Sequence, residues 1–213
     1  MTVSRRFLLS AAAIGAAGLL AMPQLGLASG VTVGQPAPAF TVKDTNGKTV
    51  SLADLKGKTV VLEWSNHDCP FVKKHYSGNN MQALQKKWTA QNVVWLTIVS
   101  SPEGEQGYVH PAQANKLTTD RGAAPSAVLL DPKSQIARAY GAQVTPHMYV
   151  IDKTGRLAYA GGIDDKPSTR IDDLAGAKNY VDAALSELAQ GKQVSTATSR
   201  PYGCTVKYAP PTT

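Results

Sequence analysis

The residues best suited to chemistry are Cys69 and Cys204, the two cysteines of a 213-residue chain. Two cysteines are too few for a disulfide-stapled scaffold or a four-cysteine zinc site, but they suffice for one bridge or one redox pair. Cys69 follows the apolar, β-branched run 59–64 and precedes Pro70, a residue type that favours the first position of a helix. A thiol at a helix N-terminus lies near the positive end of the helix dipole, which lowers its pKa. We therefore expect a reactive thiol at Cys69, against the alternatives of an inert buried cysteine or a purely structural bridge.

Other polar residues could support or replace that chemistry. His67 and Lys73 add positive charge near Cys69, whereas Asp68 opposes it. Thr145 and Pro146 predict a tight turn directly before a strand. A copper or zinc site is a further alternative, but the spacing of its candidate ligands is not that of a tight site, and we predict no metal and no dissociable cofactor. Those candidate ligands are His67, Cys69, His75, His147, Met148 and Cys204.

The elements that must position these residues alternate between strands and helices, which indicates an α/β sheet. Apolar, β-branched runs predict strands over 59–64, 93–99, 127–131 and 147–152, with a hairpin partner over 156–160. Helical spacing predicts helices over 70–90, 111–121, 134–140 and 177–190, the first with a break at 78–80. The last hairpin makes the predicted sheet mixed. A short hairpin about Asn46 and Gly47 should precede it.

The first 28 residues carry the pattern of a secretory signal. Arg5 and Arg6 precede an uncharged apolar run that ends at Pro23, and Ala28 supplies a small residue for cleavage. The run is short and weak for a spanning helix, so we favour cleavage over a membrane anchor. The Ser-Arg-Arg start resembles the twin-arginine export signal. The chain is therefore predicted to be periplasmic or otherwise exported, without a stable membrane anchor after cleavage.

Net charge says little about partners. The formal charge of +7 falls by two when Arg5 and Arg6 leave with the signal. The remaining basic residues are scattered, so we predict a solvated surface and no nucleic-acid partner.

Several segments together resemble the redoxin branch of the thioredoxin-like superfamily, which includes the alkyl hydroperoxide reductase/thiol-specific antioxidant proteins. The opening 34–58 is similar to the start of that family, and 140–156 is similar to its cis-proline loop and following hairpin. The resemblance spans about 33–188 and implies a thioredoxin-like α/β fold, with a central mixed sheet flanked by helices. It also implies that Cys69 is the attacking thiol and that Thr145 and Pro146 position the substrate chain beside it.

Two departures from the family patterns affect the expected activity. A Cys-x-x-Cys motif would need cysteine at Val72 or Asn66, so dithiol exchange within one loop is impossible. A typical peroxiredoxin carries Pro-x-x-x-Thr/Ser-x-x-Cys, but Leu62 and Asn66 stand in place of the proline and the hydroxyl residue. The second departure weakens a peroxidase interpretation without removing it.

Cys204 is the remaining candidate partner for Cys69. We divide the chain into a signal peptide (1–28), a redoxin domain (29–192) and a C-terminal tail (193–213), and expect the tail to pack on the body and return Cys204 to Cys69.

The predicted function is an exported thiol:disulfide oxidoreductase with Cys69 as nucleophile and Cys204 as resolving or bridging partner. Its expected partners are a protein disulfide, or a small thiol or peroxide, and an external thiol reductant. His67, Pro70 and Lys73 are expected to support the site. The alternatives are a thiol peroxidase, and a non-catalytic metal- or partner-binding module with a structural Cys69–Cys204 bridge.

Overall fold

The structure is a computed structural model that describes Met1 and residues 30–211. The predicted signal segment therefore lies outside the described residues, apart from Met1. None of the helices in the described part of the chain is long and apolar enough to cross a membrane.

A five-stranded mixed sheet forms the centre of the molecule, in the order β5-β4-β3-β7-β8. β3 pairs in parallel with β4, and β4 with β5, whereas β7 runs antiparallel to both β3 and β8. The strands of this sheet are β3 (Val60–Trp64), β4 (Val94–Val99), β5 (Ala127–Leu130), β7 (His147–Ile151) and β8 (Leu157–Gly161). Two short pairs lie outside it: β1 (Thr41–Lys43) with β2 (Thr49–Ser51), and β6 (Val144–Thr145) with β9 (Cys204–Thr205).

Within residues 30–211, five helices and two 3-10 turns connect the strands. The helices are α1 (Pro70–Ser77), α2 (Asn80–Thr89), α3 (Pro111–Asp120), α4 (Gln135–Tyr140) and α5 (Tyr180–Ala189); the turns are Leu52–Leu55 and Ile171–Gly176. The predicted break at 78–80 is confirmed, because Asn79 takes a left-handed conformation with φ of 56° between α1 and α2. The last helix is shorter than predicted. It begins only after Asn179, whose side-chain oxygen accepts a hydrogen bond of 2.8 Å from the Asp182 N–H and caps it.

Alternation along the central strands divides the core between the two faces of the sheet. On β3, Val61 packs with α1, α2 and α5, whereas Leu62 and Trp64 pack on the opposite face with α4. All five residues of β3 are buried, as expected for the middle strand of a covered sheet. This strand runs directly towards Cys69, so a rigid core element positions the candidate nucleophile.

The C-terminal segment packs along the body, as the sequence predicted. Near Ala197 it hydrogen-bonds to Ala160 on the outer edge of β8, with an N···O distance of 3.1 Å. Further along, β9 pairs antiparallel with β6. Beyond β9, Val206 is buried among the residues packed on the α4 side of the sheet. The segment therefore covers the outer edge of β8 and carries Cys204 to β6.

Candidate functional site

Cys69 lies at the junction of strand and helix that the sequence predicted. It is the N-cap of α1, Pro70 occupies the first helical position, and the cysteine side chain is fully buried. The loop before it is held by Asn66, whose side-chain oxygen accepts a hydrogen bond of 2.9 Å from the Asp68 N–H. This local turn ends β3 and starts α1, because short polar side chains satisfy backbone groups that neither element can pair.

Cys204 is brought to Cys69 by the pairing of β9 with β6. Thr145 lies opposite Cys204 in this pairing, and the Val206 N–H donates to the Gln143 carbonyl at 3.0 Å. The Thr145–Pro146 peptide bond is cis. Each thiol shifts the pKa of the other, as expected of side chains that lie next to each other. The turn and the tail therefore bring the two cysteines together, and both are present as free thiols.

Gly203 permits the close approach of the tail to β6. Its φ is +143°, and a Cβ built on it would lie 1.9 Å from the Thr145 carbonyl oxygen. Any larger residue therefore requires a backbone shift in the segment that carries Cys204.

Replacing Gly203 by alanine should separate the two cysteines without changing either of them. We expect Gly203→Ala to slow formation of a Cys69–Cys204 bridge by roughly tenfold or more, because thiol exchange depends on access and alignment. Non-reducing mass analysis during oxidation by a glutathione redox buffer measures this rate. Gly176→Ala is the matched control, because no atom lies within 4 Å of the Cβ that it would add. A rate for Gly203→Ala equal to that of the control would contradict the proposed close approach.

The two thiols have opposite tendencies to ionise. Burial alone would raise the pKa of Cys69, but hydrogen bonds from the Cys204 thiol, the Thr145 side chain, and the backbone of Val72 and Cys204 outweigh it and lower the pKa. As a neutral thiol, Cys69 instead donates to the Thr145 carbonyl at 3.1 Å. Burial and the contact with Cys69 raise the pKa of Cys204 to about 12. In the reduced pair, the negative charge therefore resides on Cys69, and Cys204 retains its proton.

Removing the Cys204 thiol should raise the pKa of Cys69, because the thiolate loses a donor while its burial remains. Absorbance of the thiolate at 240 nm, followed against pH, measures the change. Cys204→Ala should shift the titration of Cys69 to higher pH than Cys204→Ser does, since the serine hydroxyl can still donate. Identical titrations for the two variants would show that this donor does not stabilise the thiolate.

A buried polar cluster anchors the tail just before Cys204. The Tyr202 hydroxyl donates to Asp164 Oδ1 and lies 3.2 Å from His75 Nε2. Lys74 Nζ and His75 Nε2 each lie 4.0 Å from the other carboxylate oxygen of Asp164, which has no hydrogen-bond partner among the described residues. Burial, followed by the charge of Lys74, lowers the pKa of His75 to about 3, so this imidazole is neutral. The cluster ties the tail to α1 through the Asp164 carboxylate and the His75 imidazole.

A second buried network fixes α1 to the sheet. Glu63 on β3 is fully buried and accepts hydrogen bonds from Tyr76 Oη at 2.8 Å and Trp95 Nε1 at 2.8 Å. Tyr76 donates to Oε1, whereas Trp95 donates to Oε2, which also accepts from Gln85 Nε2 and Thr97 Oγ1 at 3.1 and 3.2 Å. Burial raises the pKa of Glu63, and these hydrogen bonds oppose that rise. Because Tyr76 belongs to α1, the network helps to set the position of the helix that Cys69 caps.

The remaining residues predicted from the sequence take different positions. Thr145 is buried and touches Cys69, whereas Pro70 is exposed on the first turn of α1. His67 is half-buried and lies 3.4 Å from the Asp68 carboxylate; burial is the main cause of its lowered pKa. The Lys73 side chain is exposed. Among the described contacts, none joins the side chain of His67 or Lys73 to either thiol, and neither is among the groups that shift the pKa of Cys69.

Sequence reasoning missed Glu63, Asp164 and Tyr202 as parts of the site. A carboxylate inside the apolar run 59–64 was a usable signal for Glu63, because an acidic residue on a buried strand needs partners. No comparable pattern surrounds Asp164, which lies in a loop far from α1 in sequence.

The structure also bears on the metal alternative. In the described residues there is no group of three or more His, Cys, Asp or Glu side chains placed to hold one ion. In particular, the Nδ1 atom of His147 lies within hydrogen-bond distance of Gln143 N and Tyr149 Oη, at 3.2 and 3.1 Å.

The comparisons with other sequences identify redoxin relatives. The family model described as "AhpC/TSA family" matches residues 33–160. "Thiol-disulfide oxidoreductase ResA" of Bacillus subtilis (strain 168) is 27% identical over 127 residues, which cover 60% of this chain and 65% of that protein. "Peroxiredoxin Q, chloroplastic" of Populus jackii is 28% identical over 151 residues, which cover 67% of this chain and 66% of that protein. The match thus spans about two thirds of the length of these relatives.

Solved structures share the fold over most of the chain. An uncharacterized conserved protein from Geobacillus kaustophilus is 26% identical, with a TM-score of 0.74 over 85% of this chain and 94% of that one. A putative thiol:disulfide interchange protein DsbE from Chlorobium tepidum is 24% identical, with a TM-score of 0.50 over 61% of this chain and 84% of that one. These similarities confirm the expected thioredoxin-like fold.

Proposed function

Because the chain belongs to the AhpC/TSA family, we propose that it is an exported thiol:disulfide oxidoreductase whose redox couple is formed by Cys69 and Cys204. The observation that supports this most directly is that Thr145 pairs with Cys204 and also accepts the hydrogen bond of Cys69, which places the two cysteines on the same residue. Val72, a buried residue, stands where a second cysteine of a Cys-x-x-Cys motif would lie. The tail therefore supplies the partner that the helix lacks.

In the proposed cycle the pair alternates between two thiols and one disulfide. Cys69 supplies the thiolate that closes the bridge, since its pKa is the lower of the two and the thiolate is the nucleophile in exchange. The family resemblance implies that Thr145 and Pro146 position a substrate chain; because Thr145 pairs with Cys204, in this proposal they position the tail that carries the second sulfur. The external thiol reduces the cysteine pair, and the pair passes these electrons to the disulfide substrate, which is a protein or a small molecule. This exchange requires no dissociable cofactor.

Export is part of the proposal because a bridge between two such cysteines persists in an oxidising compartment. The signal-like segment 1–28 supports it. Protein recovered from the periplasm of an export-competent host should begin at Ser29. Protein that retains residues 1–28 in the membrane fraction would indicate the anchored alternative.

A comparison of two substrates tests the function. We expect the reduced protein to exchange with oxidised glutathione faster than it consumes hydrogen peroxide, with the bridged form as the product. Stopped-flow mixing followed by mass analysis measures both rates. Faster consumption of peroxide, with a sulfenic acid on Cys69, would favour the thiol peroxidase instead. Stoichiometric copper binding without any thiol turnover would favour the binding module.

A further inference from the structure

The Cys69 side chain is fully buried in the reduced protein. It has no exposed surface, and its sulfur donates to the Thr145 carbonyl at 3.1 Å. The Val72 backbone and Cys204 are among the groups that shift its pKa. A thiolate attacks a disulfide sulfur through a mixed-disulfide intermediate, so the attacking atom must come into contact with it. A disulfide substrate therefore cannot reach Cys69 while the tail occupies this position.

The tail is anchored on both sides of Cys204, in a pattern that repeats every second residue. Tyr202 is held by the buried cluster at Asp164, and Val206 is buried in the core. The Tyr208 hydroxyl lies 3.1 and 2.6 Å from the carbonyl oxygens of Ala137 and Ala142 on the α4 side. Lifting Cys204 away from Cys69 would break several of these contacts together. The tail is thus a fixed part of the site, and its displacement would be costly.

Cys204 is the more accessible of the two sulfur-bearing residues. It is half-buried. An open groove of about 590 Å³ ends at the preceding residues of the tail, since its wall includes Tyr202, Gly203 and Val144 but not Cys204 itself. Of the two cysteines, only Cys204 has exposed surface that an external thiol can approach.

We propose that Cys204 is the sulfur that exchanges with external partners, and that Cys69 is the internal thiol that opens and closes the bridge. This assignment rests on the proposed function and reverses the order that the family resemblance implies. An external thiolate attacks Cys204 Sγ of the bridged protein, and the Cys69–Cys204 bond breaks with its electron pair on Cys69. The product is a mixed disulfide on Cys204. A second external thiolate releases Cys204, which takes a proton from solvent, so two thiols become one disulfide and the pair gains two electrons.

The ionisation of the two thiols agrees with this order. A thiol with a lower pKa leaves faster, and the hydrogen bonds around Cys69 stabilise it as a thiolate. In the reverse direction, the Cys204 thiol passes its proton to the adjacent Cys69 thiolate and attacks an external disulfide, which releases one external thiolate. Cys69 then loses the proton to solvent, attacks Cys204 Sγ and releases the second external thiolate. Each half of the cycle thus uses the buried cysteine only for the intramolecular step.

The experiment uses single-cysteine variants and oxidised glutathione as the probe. We expect Cys69→Ser to acquire glutathione on Cys204 at least roughly tenfold faster than Cys204→Ser acquires it on Cys69, because serine keeps the tail in place over a buried thiol. In denaturant the two rates should converge, which separates burial from intrinsic reactivity. Faster labelling of Cys69 than of Cys204 in the folded protein would overturn the assignment.

The bridged protein with both cysteines gives an independent measurement. After brief exposure to reduced glutathione and acid quenching, the mixed disulfide should be found on the tryptic peptide 193–207, which contains Cys204, and not on 59–73, which contains Cys69. An adduct on 59–73 would contradict the proposal. Failure of the protein to form any bridge would instead contradict the proposed function, and the labelling rates of the single-cysteine variants would still decide which thiol is accessible.

Discussion

Replacing either cysteine by serine should lower disulfide turnover by at least on the order of 10³-fold, because each removes one half of the redox couple. The expected losses for Cys69→Ser and Cys204→Ser are similar, since neither thiol can complete the cycle alone. Turnover of oxidised glutathione in the presence of dithiothreitol measures the effect. The two variants together should lose little more than either one, because residues that act as a unit are not additive.

Thr205→Ser is the matched control for these variants. Thr205 is exposed and adjacent to Cys204 on β9. Its replacement should leave turnover within about twofold of the original, as expected for a surface change that touches no buried group. If Cys204→Ser retained the activity of this control, the tail cysteine would have no part in the cycle.

Replacing Glu63 by alanine should destabilise the folded protein by about 3–5 kcal/mol, because the buried donors of Tyr76, Gln85 and Trp95 would lose their acceptor. Urea denaturation measures the loss in the free energy of unfolding. Glu63→Gln should cost less, since its amide oxygen still accepts. As a control, the exposed Asp172→Ala should change the stability by less than about 0.5 kcal/mol.

The raised pKa of Glu63 also predicts how stability depends on pH. The carboxyl of Glu63 holds its proton to a higher pH in the folded protein than in the unfolded chain, where its pKa has the ordinary value of 4.5. Between about pH 4.5 and the folded pKa, the folded state therefore binds more protons than the unfolded state. The free energy of unfolding should fall as the pH rises through this range. Glu63→Gln should remove that part of the slope. A slope that is unchanged in Glu63→Gln would assign the pH dependence to other groups.

Much of the fold follows from local patterns in the sequence. The run 59–64 predicted β3 to within one residue, and the hairpin partner of β7 predicted the mixed sheet. The junction at Cys69 was predictable because Pro70 favours the first helical position and polar residues end the strand. These features depend on a few neighbouring residues, and periodicity and turn chemistry therefore detect them.

The supporting residues were harder to predict, because they depend on contacts between distant segments. His67 and Lys73 are close to Cys69 in sequence. His67 lies in the turn before α1 and is half-buried, whereas Lys73 lies on the exposed face of α1. Asp164, in contrast, is far from α1 in sequence, but the folded chain places its carboxylate 4.0 Å from Lys74, the residue that follows Lys73. Proximity along the chain thus indicates which residues are near a helix end, but not which of them face the thiol.

The reduction potential of the Cys69–Cys204 couple tests the central claim most directly. Equilibration with glutathione buffers, followed by acid trapping and intact mass, measures the fraction of bridged protein, whose mass is about two daltons lower for two lost hydrogens. We predict a reversible couple with a potential above about −300 mV, because stabilisation of the Cys69 thiolate favours the reduced form. A potential below that value would identify a structural bridge, and two thiols that never pair would contradict the account.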